Sequence, residues 1–140
     1  MVFLTPPPAD RTPKLVLVRW RAWEVQVPDY DAPSWHLMGF LSEESCSKVS
    51  SALAEVSAAG DEARSKTGRR YSLATPPGVD AAAARLWGTW VRHHRVVVLR
   101  EVTSDILAGH QPLPVRRRRQ PEATSTQAAM DASLRGDRKW

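Results

Sequence analysis

Residues 15–27 alternate between apolar and polar side chains with the period of two that predicts a β-strand. After Ala22 the apolar positions change parity, which a bulge, or a bend between two surfaces, explains. Arg19 and Arg21 are expected on the face opposite the first apolar set. That first set is Val16, Val18, Trp20 and Ala22, and the second is Trp23, Val25 and Val27.

Three further stretches predict strands. Residues 35–41, WHLMGFL, are apolar on both faces, as expected of a central strand, and Gly39 marks a close approach of two backbones. Residues 49–56 fit a strand or a short helix, and their β-branched ends favour the strand. Residues 62–73 predict a hairpin, because Gly68 adopts positive φ at little cost in its turn.

Asp80 predicts the N-cap of a helix that runs to about residue 95, since its carboxylate can accept from the free amides of the first turn. The four alanines that follow favour the helix. Residues 96–102 predict a last strand, and residues 103–107 a helical turn. The apolar stripe of the helix, expected to cover the sheet, is Ala83, Leu86, Trp87, Trp90, Val91 and His94.

These elements predict one α+β domain at residues 14–110. We expect a small antiparallel β-meander or partly open barrel of about five strands, with one amphipathic helix at about 80–95 packed on it. Four prolines in residues 1–13 predict an irregular arm. The polar, proline-interrupted sequence of residues 111–140 predicts a disordered basic tail.

Most of the formal net charge of +5 lies near the end of the chain. Residues 1–115 hold 13 Lys/Arg and 12 Asp/Glu, whereas residues 116–140 hold 7 and 3. Four adjacent arginines gain affinity for polyanions through counterion release, with a log–log salt slope of about −3 to −4. We therefore predict weak, nonspecific nucleic-acid binding by Arg116, Arg117, Arg118 and Arg119; a purely solubilising tail is the alternative.

A second cationic candidate follows the hairpin turn, where two arginines precede a tyrosine. Guanidinium groups suit phosphates, and an aromatic ring suits a base. Pairing of the arginines with Asp61 and Glu62 across the hairpin is one alternative, and contact with an acidic protein is another. The nucleic-acid-binding residues predicted in the body are Arg19, Arg21, Arg69, Arg70 and Tyr71.

No catalytic motif accompanies these residues. The sequence has no Gly-rich phosphate loop, no H-E-x-x-H and no G-x-S-x-G. We therefore expect no enzyme activity, no cofactor and no metal. An enzyme that uses Cys46 or His36 with Asp29 or Asp31 is the third hypothesis.

The lone Cys46 excludes an intramolecular disulfide and a cysteine-rich zinc site, and it suits a reducing compartment. No stretch approaches the roughly 20 apolar residues of a membrane span, and no signal-peptide pattern opens the sequence. A cytoplasmic location without membrane contact is expected.

Five segments, in order, carry a resemblance to a known group: WHLMGFL, KVSS, SKTGRRYSL, PPGVDAAAARLWGTW and VTSDI. Together they resemble a group of small β-rich proteins associated with prophages and mobile elements of proteobacteria. The resemblance covers roughly residues 34–107. It implies a bacterial, mobile-element setting and one helix, without an assigned activity. Residues 53–64 and the Arg-rich tail depart from the group.

The sequence thus predicts a non-enzymatic macromolecule-binding module with weak nucleic-acid affinity through the tail, and the resemblance implies that a mobile element encodes it. The alternative is a protein-directed inhibitor or adaptor, such as a phage anti-defence factor that acts on a host protein through a Trp-bearing surface. Five of the six tryptophans fall in the body: Trp20, Trp23, Trp35, Trp87 and Trp90.

Overall fold

Residues 13–118 are described by the computed structural model, and they form a mostly β structure with two helices. The predicted arm at 1–13 falls almost wholly outside this range. The elements are β1 (Lys14–Gln26), β2 (Ser34–Leu41), β3 (Cys46–Val49), β4 (Leu53–Val56), β5 (Glu62–Ser65), β6 (Arg70–Ser72), α1 (Ala81–His93), β7 (Val97–Glu101) and α2 (Thr103–Leu107).

The strands form one mixed, open sheet in the order β3-β2-β1-β6-β5-β4, and β7 also pairs with β1. The expected five antiparallel strands are therefore wrong in two respects. The sheet has seven strands within the described range: residues 46–49 form an additional strand, β3, and the strand predicted at 49–56 is shortened to β4. The first residues of β1 pair with β6 in parallel.

The long strand β1 changes neighbours along its length, and its pairing shifts register at two places. The predicted change of parity after Ala22 is seen in the packing, since Trp20 and Ala22 lie in the core whereas Trp23 stacks on Trp87 of α1. The pairing of β1 with β2 is regular there, and the shift against β7 between Glu24 and Val25 places the extra residue in β7. A second shift, against β2 between Val18 and Arg21, was not predicted. Arg19 lies there with φ of 48°, so the buried side chain before it is Leu17, and Val16 and Val18 are only partly buried.

One face of β1 and β2 packs against β4, β5, β6 and α2 to form the hydrophobic core. Trp20 is fully buried there, and its Nε1 donates to the Thr75 carbonyl oxygen at 2.9 Å. Gly39 confirms the expected close approach, since a Cβ at this position would lie 2.8 Å from Leu17 Cγ. The core residues are Leu17, Trp20, Ala22, Trp35, Leu37, Leu41, Leu53, Val56, Ala63, Tyr71, Leu73, Val102 and Ile106.

The helix α1 lies on the opposite face and packs on β2 and β3. Its start is as predicted, because Asp80 Oδ2 accepts from Ala83 N at 3.0 Å and this bond lowers the pKa of the carboxyl. The prediction that its apolar stripe covers the sheet holds only in part. Ala83 alone is buried, Trp87 and Trp90 are half-buried, and Leu86 and His94 are exposed.

The hairpin of β5 and β6 turns at Gly68, with φ of 93°, as predicted. The last strand, β7, pairs only with β1 in the described part of the chain. Its aliphatic side chains are exposed, from 40% for Val98 to 58% for Val97. This strand is thus an apolar edge of the sheet.

Candidate functional site

Two of the predicted nucleic-acid-binding arginines, on β1, are paired with carboxylates. Arg19 Nε donates to Asp80 Oδ1 at 3.0 Å. Arg21 Nη1 donates to Glu101 Oε1 at 3.3 Å, and its Nε donates to a backbone carbonyl oxygen. Their charge is therefore largely balanced within the fold.

The hairpin cluster is likewise occupied within the fold. Arg70 Nη2 donates to Glu62 Oε2 at 2.7 Å, which holds the pKa of that carboxyl below its usual range. Tyr71 is 1% exposed, because alternation in β6 directs it into the core, so its ring cannot stack on a base. The prediction for Tyr71 is wrong. Arg69 is exposed and forms no ion pair within residues 13–118.

Residues 111–118, which the sequence assigned to the tail, pack along the folded body and are called the strap below. At its start, Gln111 Nε2 donates to Val56 O, and Gln111 Oε1 accepts from Val56 N at 3.0 Å. Gln111 therefore satisfies both backbone groups of Val56 on the edge strand β4. The rest of the predicted tail, residues 119–140 with Arg119, lies outside the described residues.

The end of the strap pairs with the loop between β1 and β2. Asp31 N donates to Arg116 O at 3.0 Å, and Arg116 N donates to Asp31 Oδ1 at 3.0 Å. Tyr30 and Arg117 form an antiparallel bridge. Arg116, Arg117 and Arg118 are exposed in this arrangement, so three of the four predicted tail arginines are adjacent on an ordered surface.

Lys66, in the turn of the hairpin, joins the strap to the same loop. Its Nζ donates to Val115 O at 2.7 Å and lies 5.4 Å from the centroid of the Tyr30 ring. The Val115 side chain is buried. The strap is thus held by an apolar contact as well as by polar ones.

A cavity of about 330 Å³ opens between the strap, the β1–β2 loop and α1. The aromatic rings of Tyr30 and Trp90 line it, together with His94. Asp29 and Arg117 line it as well, and their ion pair of 3.8 Å is open to solvent, with side chains 62% and 75% exposed. The cavity therefore combines aromatic walls with solvated groups of both charges.

His36 lies at the inner side of this cavity, and both of its ring nitrogens are engaged. Since a carbonyl oxygen only accepts, His36 Nδ1 donates to Ser50 O at 2.9 Å, and Nε2 accepts from Ser34 Oγ at 2.8 Å. Burial lowers the pKa of His36 to about 4. The imidazole is therefore neutral near pH 7 and fixed in one tautomer.

A row of aromatic rings connects this histidine to β1. Trp90 is tilted over His36, with 4.8 Å between centroids, and stacks on Trp87 at 5.2 Å. Trp87 in turn stacks on Trp23 at 6.1 Å, and His94 is 5.2 Å from Trp90. The Trp90 ring is thus supported from within the fold while part of it faces the cavity.

This geometry gives little support to the hypothesis of an enzyme that uses Cys46 or His36. His36 and Asp29 line the same cavity, but Cys46 does not line it. The hydroxyl that contacts His36 belongs to Ser34, which is fully buried and out of reach of a substrate. No ring nitrogen of His36 is left to act as a base in the neutral state.

Within residues 13–118, no group of three or more His, Cys, Asp or Glu side chains is arranged to hold a metal ion. No helix in that range is long and apolar enough to cross a membrane.

Comparison of the chain with models of protein families, with curated proteins and with solved structures gives no match. The resemblance to mobile-element proteins therefore stays a prediction.

Sequence reasoning missed the cavity residues Tyr30 and Trp90. Trp90 was assigned to the stripe that covers the sheet, and no role was predicted for Tyr30. One signal was present, since Tyr30 lies between two aspartates and the chain elsewhere offers a run of arginines. Opposite charges of this kind favour contact between distant segments, but they do not specify the register.

Proposed function

We propose that the chain is a non-enzymatic module that binds nucleic acid through the arginines of the strap. The observation that carries the proposal is that three adjacent arginines of the strap are exposed, whereas most of the arginines predicted for binding in the body are paired. Arg19, Arg21 and Arg70 are paired with carboxylates, whereas Arg116 and Arg118 form no ion pair in the described range and Arg117 has only a solvated one.

The ordered backbone of the strap favours binding, because side chains on a fixed backbone lose less conformational entropy when they contact phosphates. Three adjacent guanidinium groups suit a phosphate backbone, but nothing in their arrangement reads base edges in a duplex. We therefore expect affinity that is salt-dependent and indifferent to duplex sequence.

The test is fluorescence anisotropy of a labelled single-stranded 20-mer with the full chain at several salt concentrations. The variant R116A/R117A/R118A should bind more weakly, and its log–log salt slope should be smaller by about 2. The matched control K48A/R64A/R85A removes the same charge elsewhere and should retain most of the slope. An equal loss in both variants would contradict a role for the strap and indicate an effect of net charge alone.

The second candidate function is a protein-directed inhibitor or adaptor. It is favoured by the exposed aliphatic side chains of Val97, Val98 and Leu99 on the edge strand β7. Surface complementarity alone suffices for such a function. A protein captured from nuclease-treated host lysate, and lost with Leu99→Asp, would support it over the first; capture that depends on nucleic acid would not.

A further inference from the structure

We propose that the cavity beside the strap binds a nucleobase, so that the ligand unit is a nucleotide, either free or within a single strand. The inference deepens the proposed function and rests on it for the strand-bound form. In this proposal the base stacks on Trp90 and Tyr30, and the phosphate of the nucleotide contacts Arg117.

The size and walls of the cavity fit a planar ring. A volume of about 330 Å³ is at the lower end of small-ligand sites. Two aromatic side chains from separate elements line it, Tyr30 from the β1–β2 loop and Trp90 from α1. Every base has a π-face, so stacking on such rings recognises bases with little dependence on sequence.

The inner side of the cavity is preorganised. The hydrogen bonds of His36 to Ser34 and Ser50 are complete without a ligand, and the His36 ring supports Trp90. Ser50 is fixed further, because its hydroxyl donates to the Ser51 carbonyl oxygen and accepts from Leu37 N. A stacking surface that is already in place costs little ordering entropy on binding.

The polar groups suit a nucleotide better than a neutral aromatic ligand. Arg117 lines the cavity, and its only ion pair in the described range, at 3.8 Å to Asp29, is too long and too exposed to hold it strongly. Its guanidinium is therefore available to a phosphate. The Asp29 carboxylate can accept from an exocyclic amino group of a base.

The first arm of the test compares a single-stranded oligonucleotide with an abasic strand of equal length, which keeps the phosphates and lacks the bases. The normal strand should bind the full chain several-fold more tightly. Trp90→Ala and Tyr30→Ala should each remove most of that preference, since one stacked base is worth about tenfold or more in affinity. Trp23→Ala is the matched control, because Trp23 is a partly buried tryptophan that stacks on Trp87 instead of Trp90 and does not line the cavity.

The second arm uses adenosine 5′-monophosphate, adenosine and inorganic phosphate, observed through the indole N–H resonances of the full chain. The monophosphate should shift the Trp90 resonance, with an affinity above that of adenosine. Arg117→Gln should reduce the monophosphate to the affinity of adenosine. Circular dichroism and the Tyr30→Phe variant, which keeps a ring, separate loss of stacking from loss of fold.

The two proposals fail differently. If normal and abasic strands bind equally and the Trp90 resonance does not shift, the cavity is not a base site, and the proposed role of the strap arginines stands. A Trp90 shift by the monophosphate without salt-dependent strand binding supports the cavity for free nucleotides and overturns the strap. A Trp90 resonance that shifts with inorganic phosphate but not with adenosine or its monophosphate also overturns the base site.

Discussion

The two faces of β1 and β2 are packed in different ways. One face, against β4, β5, β6 and α2, is closed: Trp20, Leu37 and Tyr71 there are at most 1% exposed. The other face, under α1, has half-buried tryptophans, the buried polar residues Ser34 and His36, and a cavity. The difference shows that apolar burial is concentrated on one face of these two strands. The closed face supplies burial, and the open face leaves Trp90 partly accessible at the cavity where we propose that a ligand binds.

The substitution with the largest expected effect on stability lies on the closed face. Trp20→Ala should lower the free energy of unfolding by roughly 3–5 kcal/mol, because it leaves a cavity and removes the partner of the Thr75 carbonyl. Trp87→Ala, on the open face, should cost about 1–2 kcal/mol. Urea unfolding measures both, with Trp20→Phe as a milder variant if the alanine variant does not fold. Equal costs would show that the α1 face is a second core.

The pH dependence of stability sharpens the comparison at His36. The unfolded chain binds a proton at this histidine with a pKa of 6.5, and the folded chain with a pKa of about 4. Between these values the unfolded state holds more protons, so the free energy of unfolding falls as the pH drops from 6.5 to 4, by about 3 kcal/mol from this group.

Urea unfolding of the wild type and of His36→Gln across this pH range isolates the contribution. Between pH 6.5 and 4, the free energy of unfolding should fall by about 3 kcal/mol less in the variant than in the wild type, since Gln does not titrate. The other histidines and the carboxylates are common to both proteins. Parallel pH profiles would show that His36 is not held neutral beneath Trp90.

The helix cap is expected to have a smaller effect. Asp80→Ala removes the acceptor for Ala83 N and should cost about 1 kcal/mol. Asp80→Asn keeps a side-chain oxygen at the cap and removes only the ion pair with Arg19, so it should cost less than half as much. Thermal unfolding of the two variants measures the difference. An equal cost would assign the stabilisation to the ion pair instead of the cap.

The smallest effect concerns the strap beside the open face. Asp31→Ala removes the acceptor for Arg116 N and should cost about 0.5–1 kcal/mol. Amide hydrogen exchange at Arg116 should be faster in the Asp31→Ala variant than in the wild type. Asp29→Ala, which removes only the solvated pair with Arg117, is the control and should leave that exchange rate nearly unchanged. Faster exchange in the control alone would contradict the hydrogen bonding described for the strap.

Local patterns allowed much of the fold to be predicted. The hairpin at Gly68, the cap at Asp80, the helix, and the change of parity after Ala22 each depend on residues close in sequence. The strand β3 and the bulge at Arg19 were not predicted. An arginine with positive φ leaves no local signal, because the surrounding packing stabilises that conformation.

The candidate site was predicted less well than the fold. The run at 116–119 was identified from its charge, and three of its arginines lie on the described surface. The role of Tyr71 was wrong because one step along a strand exchanges the inner and outer faces. Tyr30 and Trp90, sixty positions apart, meet at one cavity only through the tertiary structure.

The sequence by itself determined the periodic and charged features of this protein: a β-rich body, one capped helix and a concentration of arginine. Those features follow from interactions over a few residues and from composition. The tertiary structure alone decided which arginines are neutralised, that the strap packs on the body, and that α1 leaves its tryptophans half-buried beside a cavity. Each of these depends on contacts between distant segments, whose register is set by the packing of the whole fold.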